Sequence, residues 1–468
     1  MTTDMTTNTT NTTKTTKTTK TTEISETAEA TVDLTTGQLH GALEDPALSS
    51  MNLLNEIANH YPSSVQFAAG RPSEEFFDTE DVHTHLRAFT DHLARDRGMS
   101  PAEIRRTLYQ YGRTKGVVPE LVARNLAVDE GIDADPEALV VTVGCQEAMY
   151  LVLRALRAAP QDVVLAVSPT YVGLTGAARL VDMPVLPVAS GTTGADLDDL
   201  VAVLHRARRE GLRPRACYVM PDFANPSGLS MSRAMRMRLL ELAREEDLFL
   251  LEDNPYGLFH YGPERTPTLK ALDDHRRVIY LGSFAKTALP GARVGYVLAD
   301  QRVTDGSGRV GLFADQLSKI KSMLTVNTSP IAQAVVGGKL VTHGCSLAAA
   351  NVREREAYGR NLRLILDGLA RRFPKGGTGS VGVEWNAPQG GFFVVLTLPF
   401  PADDALLEHS ARHYGVLWTP MGHFYEGVGG LHQLRLSASA VTPDQIDTGL
   451  DRLAALIKDL NSGRHGPS

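Results

Sequence analysis

Lys286 stands in Ser283-Phe-Ala-Lys286, just after an apolar run, and Pro290-Gly-Ala-Arg293-Val-Gly-Tyr296 follows it. A lysine in such a Gly/Ser/Pro-rich turn is unusual, because burying an ammonium is costly. Desolvation lowers its pKa and leaves a neutral amine able to form a Schiff base with a carbonyl. Ser283 and Arg293 flank it as natural phosphate ligands, a hydroxyl donor and a guanidinium fork.

Other segments offer complementary chemistry. In Glu252-Asp253-Asn254-Pro255-Tyr256 a carboxylate at a strand end can hold a pyridine nitrogen protonated, which makes the ring an electron sink. Tyr256, three residues on, is placed to donate to a phenolic oxygen of such a ring. In Pro221-Asp-Phe-Ala-Asn225-Pro226-Ser-Gly228 a tight turn fixes the Asn225 amide toward a crevice. Gly144-Cys145-Gln146, between a strand and a helix, presents free backbone N–H groups to an anion. There the backbone amide of Cys145 matters more than its thiol. Tyr171, in Ser168-Pro-Thr-Tyr171, can stack on a flat ring. Arg435, in Leu434-Arg-Leu-Ser437, suits bidentate capture of a carboxylate. Each motif alone reads more readily as a plain turn, packing or a solvated side chain. Their common placement at strand ends argues for one site.

The elements that position them follow from hydrophobic patterning. Leu139–Val143, Val163–Val167, Ala216–Met220, Leu248–Glu252, Val278–Leu281 and Val294–Leu298 are nearly continuous apolar runs, as expected of strands covered on both faces. Helical patterns such as Gln146–Ala158 and Met231–Glu246 fall between them, so the class is α/β with a mostly parallel sheet. Ligand chemistry in such sheets gathers at the carboxyl ends of strands, where the motifs are expected. After residue 330 the pattern changes to a long helix near Leu347–Arg372, strands at Phe392–Thr397 and Gln433–Ser437, and a closing helix. This predicts a smaller α+β domain over 331–468 after a large domain over 78–330, with an N-terminal arm over 36–77 packing on the smaller domain and the site. Residues 1–35 are a Thr/Lys/Asn-rich tail with too little apolar surface to order itself.

Composition narrows the function classes. The 468 residues are 43% hydrophobic with net charge -7, which argues against a nucleic-acid binder held by phosphate contacts. Three widely spaced cysteines, Cys145, Cys217 and Cys345, form neither a disulfide framework nor a metal site and fit a reducing cytoplasm. No apolar run is long enough for a membrane span.

Phe67-Ala-Ala-Gly70, Gln110-Tyr111-Gly112, Gly144-Cys-Gln146, Pro169-Thr-Tyr171, Asn225-Pro-Ser-Gly228, Asp253-Asn-Pro-Tyr256, Ser283-Phe-Ala-Lys286, Arg293-Val-Gly-Tyr296, Gly390-Gly-Phe-Phe393 and Arg435-Leu-Ser437 occur in this order. In these motifs the chain resembles the class I/II aminotransferases of pyridoxal-phosphate (PLP) fold type I, from about Phe67 to the carboxyl terminus. The resemblance implies a seven-stranded, mostly parallel sheet sandwiched by helices, pyridoxal 5′-phosphate as cofactor, and an amino acid and a 2-oxo acid as substrates. It makes Lys286 the Schiff-base lysine and proton shuttle, Asp253 the partner of the pyridine N–H, and Tyr171 the stacking ring. Asn225 and Tyr256 would hold the ring oxygen. Gly144, the Cys145 and Gln146 amides, Ser283 and Arg293 would hold the phosphate. Tyr111 would reach the phosphate of a neighbouring subunit, which implies a homodimer with shared sites. Arg435 would take the substrate α-carboxylate, with Gly70 beside the substrate.

Three departures from the family pattern stand out. Ser227 replaces the commoner Thr, and Cys145 stands where Ser or Ala is typical. Arg71 follows Gly70, close to Glu74 and Glu75, in a stretch that in this family lies over the substrate. A fainter resemblance, to aminotransferases of guanidine-bearing amino acids such as enduracididine, fits a cationic side chain read by those carboxylates. The alternatives are a lyase, decarboxylase or oxidase of the same fold, or a ligand-sensing regulator domain. The regulator would need a winged-helix segment, and the tail carries no such pattern.

Overall fold

The computed structural model describes residues 34–191, 194–262, 264–374 and 382–463. The Thr-rich tail expected over residues 1–35 lies outside the described residues up to residue 33.

Seven strands form the main sheet: β1 (Leu139–Val143), β2 (Asp162–Val167), β3 (Val185–Val188), β4 (Arg213–Val219), β5 (Phe249–Asp253), β6 (Val278–Ser283) and β7 (Val294–Leu298). Their spatial order is β1-β7-β6-β5-β4-β2-β3. Only β7 runs antiparallel to its neighbours. Side chains alternate between two covered faces. Val164, Tyr218 and Leu251 join the core under the helices Gly144–Leu156 and Val172–Leu180. Leu165, Cys217 and Leu250 join the core under Leu197–Arg209 and Arg233–Glu245.

A second sheet has four short strands, β8 (Glu384–Trp385), β9 (Phe393–Thr397), β10 (Thr419–Pro420) and β11 (Gln433–Ser437), in the order β8-β9-β11-β10. Helices Val352–Arg372 and Pro443–Asn461 cover it through residues such as Ile365, Leu369, Leu453 and Ile457. The N-terminal segment belongs to this unit: Val65–Gln66 pairs in parallel with Val416–Leu417, and Phe67 is fully buried in the same core.

Two expectations need adjusting. Pro330–Thr342, read as opening the smaller unit, packs instead on Thr79–Arg95, with Ala334, Val336 and Leu340 against Phe89 and Leu93. The long helix near Leu347–Arg372 is two pieces, Leu347–Ala350 and Val352–Arg372. They divide at Asn351, whose side-chain amide donates to the Leu347 and Thr287 carbonyls, both at 2.8 Å. Among the described residues no helix is long and apolar enough to cross a membrane, and no cluster of three metal-ligating side chains occurs.

Candidate active site

The carboxyl ends of β1, β2, β4, β5 and β6 share one edge of the sheet, which is where the turns carrying Gly144, Tyr171, Asn225, Asp253 and Lys286 emerge. Arg293 arrives differently from the expected carboxyl-end rule. It precedes β7, and because β7 is antiparallel its amino end lies at this same edge. The edge faces β11 of the smaller unit, which supplies Arg435, and a cavity of about 210 Å³ separates them.

That cavity collects most of the expected residues. Gly70, Cys145, Gln146, Tyr171, Asn225 and Asp253 line it, together with Tyr256, Ser283, Lys286, Arg293 and Arg435. Gly144 lies directly behind the lining. Its φ of +69° favours glycine, and a Cβ there would sit 2.4 Å from an Arg293 terminal nitrogen. The guanidinium is therefore packed against the start of the helix Gly144–Leu156. Tyr111 is not brought to the cavity. It is 85% exposed in a separate groove shared with Arg106 and Arg113.

The helix start is held from behind by a buried ion pair. Glu147 accepts from the Val143 N–H at 2.6 Å, from Lys321 Nζ at 2.7 Å and from the Thr325 hydroxyl at 2.6 Å. Glu147 and Lys321 were missed in the sequence, because charged residues in helices read as solvated faces. The Gln146 side chain donates to the Gly173 carbonyl at 2.5 Å, so it turns toward the next helix. The Ser283 hydroxyl accepts from the Ala285 N–H at 3.2 Å.

Lys286 Nζ donates to the Gly70 carbonyl at 2.9 Å and lies 5.9 Å from the centroid of the Tyr256 ring. Burial, reinforced by Arg293 and Arg435 and opposed by Asp253, lowers its pKa from the usual 10.5 to about 8. Asp253 is buried and raised to about 6, chiefly by desolvation, although hydrogen bonds from Tyr218 and Cys145 favour its anion. Its neighbour Glu252 points to the opposite face of the sheet, as strand alternation requires. There it accepts the Leu269 and Lys270 amides at 2.8 and 2.7 Å. Alternation thus separates a structural carboxylate from the one facing the cavity.

Arg435 is 4% exposed and has no carboxylate partner among the described residues. It donates to the Ala68 carbonyl at 3.0 Å, to the Thr419 hydroxyl at 3.1 Å and to the Asn225 side-chain oxygen, while its Nε has no partner. The rings of Phe393 and Phe424 lie 4.2 and 5.1 Å from the guanidinium. Desolvation lowers its pKa from 12.5 to about 10. The Tyr256 hydroxyl is paired with Asn225, and burial pushes the Tyr256 and Tyr171 phenols upward. Tyr218, which the sequence reading passed over, donates to Asp253 at 2.7 Å.

Arg71, Glu74 and Glu75 lie outside the cavity lining and are exposed, with Arg71 and Glu74 paired at 3.6 Å. The remaining wall is apolar and aromatic: Ala68, Met149, Val172, Met220 and Phe424. The site thus holds one neutralisable amine, one buried carboxylate, two guanidinium groups, of which Arg435 is buried without a carboxylate partner, and a polar strand-helix junction. That set can bind a dianionic head group, a protonated ring nitrogen and a substrate carboxylate together.

Residues 79–453 match the family model described as aminotransferase class I and II. The chain is 58% identical over 427 residues to the (S)-3,5-dihydroxyphenylglycine transaminase of Amycolatopsis orientalis, covering 91% of this chain and 95% of that one. It is 30% identical over 402 residues to aromatic-amino-acid aminotransferase 1 of Thermococcus litoralis, covering 84% and 88%. A solved Pyrococcus horikoshii kynurenine aminotransferase, in complex with PMP, superposes with a TM-score of 0.73 at 27% identity over 89% of this chain and 95% of that one.

Proposed function

This chain is a pyridoxal 5′-phosphate-dependent enzyme of the aminotransferase class I and II family, and on that premise we propose that it transaminates an arylglycine of the 3,5-dihydroxyphenylglycine type against a 2-oxo acid. The observation that carries the reading is the cavity itself. Lys286, Asp253 and Arg435 converge on it, Asp253 is its single carboxylate, and Ala68, Met149, Val172, Met220 and Phe424 give it an apolar surface as well. A guanidino side chain needs a carboxylate of its own, and Glu74 and Glu75 do not reach the lining. An aryl ring would take the apolar wall and ring contacts that Phe424, Val172 and Met220 offer, and its hydroxyls the polar lining. The relative at 58% identity is named for an arylglycine.

The residues fit the cofactor. The arginine Nε without a partner and the amine bonded only to a carbonyl are polar groups awaiting a ligand. We assign Lys286 as its covalent attachment, Asp253 to the ring nitrogen, Asn225 and Tyr256 to the ring oxygen, and Tyr171 to the ring face. Gly144, the Cys145 and Gln146 amides, Ser283 and Arg293 take the phosphate, joined by Tyr111 from a second copy in a homodimer. When bound, the cofactor supplies an electron sink for the pair released as the substrate Cα–H bond breaks. The chain does the rest. Arg435 orients the α-carboxylate, Gly70 lies beside the substrate, and Lys286 Nζ takes the Cα proton. Its three free cysteines suit a reducing cytoplasm.

Specificity constants for 3,5-dihydroxyphenylglycine, phenylglycine, arginine and aspartate test the substrate assignment. The arylglycines should lead arginine and aspartate by at least about tenfold, the value of roughly 1.4 kcal/mol of pocket complementarity. A lead for arginine would return the reading to a guanidino substrate.

A further inference from the structure

Asp253 ends β5, and the main-sheet register sets Tyr218 of β4 opposite Leu251, two residues before it. Tyr218 and Asp253 therefore project from the same face as diagonal neighbours. The Tyr218 hydroxyl donates to one carboxylate oxygen, Oδ2, at 2.7 Å. The Cys145 thiol approaches the other, Oδ1, at 3.5 Å. Tyr218 is 1% exposed, so its hydroxyl has given up water for this single contact. Cys145 stands at a strand-helix junction whose backbone serves the phosphate, so its side chain is free for a second task. No guanidinium or ammonium is hydrogen-bonded to Asp253 among the described residues.

We infer that Tyr218 and Cys145 are positioning residues that clamp the Asp253 carboxylate, one donor on each oxygen, and fix the orientation in which it meets the cofactor's ring nitrogen. The inference rests on the assignment of Asp253 to that nitrogen. Two neutral donors suit the task better than a cation. An arginine would neutralise the carboxylate and weaken its hold on a pyridinium, whereas a phenol and a thiol direct its lone pairs and leave the charge. Tyr218 carries the larger share, because a thiol is a weak donor.

The test compares holoenzyme formation with pyridoxal 5′-phosphate and with its analogue in which C–H replaces the ring nitrogen. Tyr218→Phe keeps the ring and its packing and removes only the donor. It should weaken binding of pyridoxal phosphate about tenfold, the usual size for a hydrogen bond to a charged group, and leave the carbocyclic analogue within about twofold. Cys145→Ala should do the same with a loss of about two- to threefold. In an Asp253→Asn background, Tyr218→Phe should add nothing. Equal losses for both ligands, an undiminished loss in the Asp253→Asn background, or no loss would each overturn the clamp. If Asp253→Asn itself fails to separate the two ligands, the ring-nitrogen assignment falls first and the clamp with it.

Discussion

Lys286 Nζ is hydrogen-bonded to the Gly70 carbonyl oxygen at 2.9 Å, across a sequence separation of 216 residues. Gly70 follows Val65–Gln66, which is paired into the smaller unit, so the amine of the main sheet is held by backbone belonging to the other core. A Cβ on Gly70 would lie 2.8 Å from the Phe393 ring. Gly70→Ala should therefore push this segment away from Lys286. The expected outcome is roughly tenfold lower kcat/KM, about 1.4 kcal/mol, with cofactor content retained, read by steady-state kinetics and absorbance. Full activity would show that the contact does not matter.

The lowered pKa of Lys286 predicts how the apoprotein takes up cofactor. With a pKa near 8, about a tenth of the amine is neutral at pH 7, against about one part in three thousand at the usual 10.5. Neutral amine is the reactive form, so the uptake rate should rise with pH and level off above about pH 9. Asp253, near 6, becomes neutral as pH falls through that value, and cofactor should be held less tightly below it. Stopped-flow absorbance against pH checks both limbs. A rate still climbing past pH 10 would contradict the enclosed, cation-flanked amine.

Arg435 is buried without a carboxylate, so its charge awaits the substrate. Arg435→Lys preserves the charge and loses the planar fork and the stacking on Phe393 and Phe424. Both the amino acid and the 2-oxo acid should lose about ten- to a hundredfold in kcat/KM, mostly through KM. A loss confined to one of the two substrates would mean that Arg435 does not read the group they share.

Tyr111 is exposed and remote from its own cavity, as a residue serving a second copy must be. Lys286→Ala and Tyr111→Phe chains, mixed under subunit exchange, should form hybrids with one doubly defective and one intact site. Random pairing puts the ceiling at about a quarter of wild-type activity. Activity no greater than the average of the parents, with exchange verified by mass, would place Tyr111 outside the shared site.

Much of this site was legible because strands buried on both faces write continuous apolar runs, and the chemistry sits where those runs stop. The strand Val185–Val188 was not legible: it is an edge strand with Pro187 among its four residues, and nothing in it distinguishes a strand from a loop. Tyr218 was equally silent. A tyrosine within an apolar run reads as packing, and only the β4–β5 register shows that its hydroxyl meets Asp253. The pair Glu147 and Lys321 lies 174 residues apart, a separation that helix periodicity cannot bridge. The smaller unit was read from where its sequence pattern changes, and that change does not show that Pro330–Thr342 packs elsewhere.

The assignment of Lys286 as the residue that carries the cofactor is tested most directly by borohydride. Reduction of the holoenzyme converts a lysine-cofactor C=N bond to a stable amine, and peptide mass spectrometry then locates it. The cofactor-derived mass should appear on the peptide containing Lys286 and vanish in Lys286→Ala, together with the absorbance of the bound cofactor. The same mass on another lysine, such as the buried Lys321, or an unchanged bound-cofactor spectrum in Lys286→Ala, would contradict the assignment.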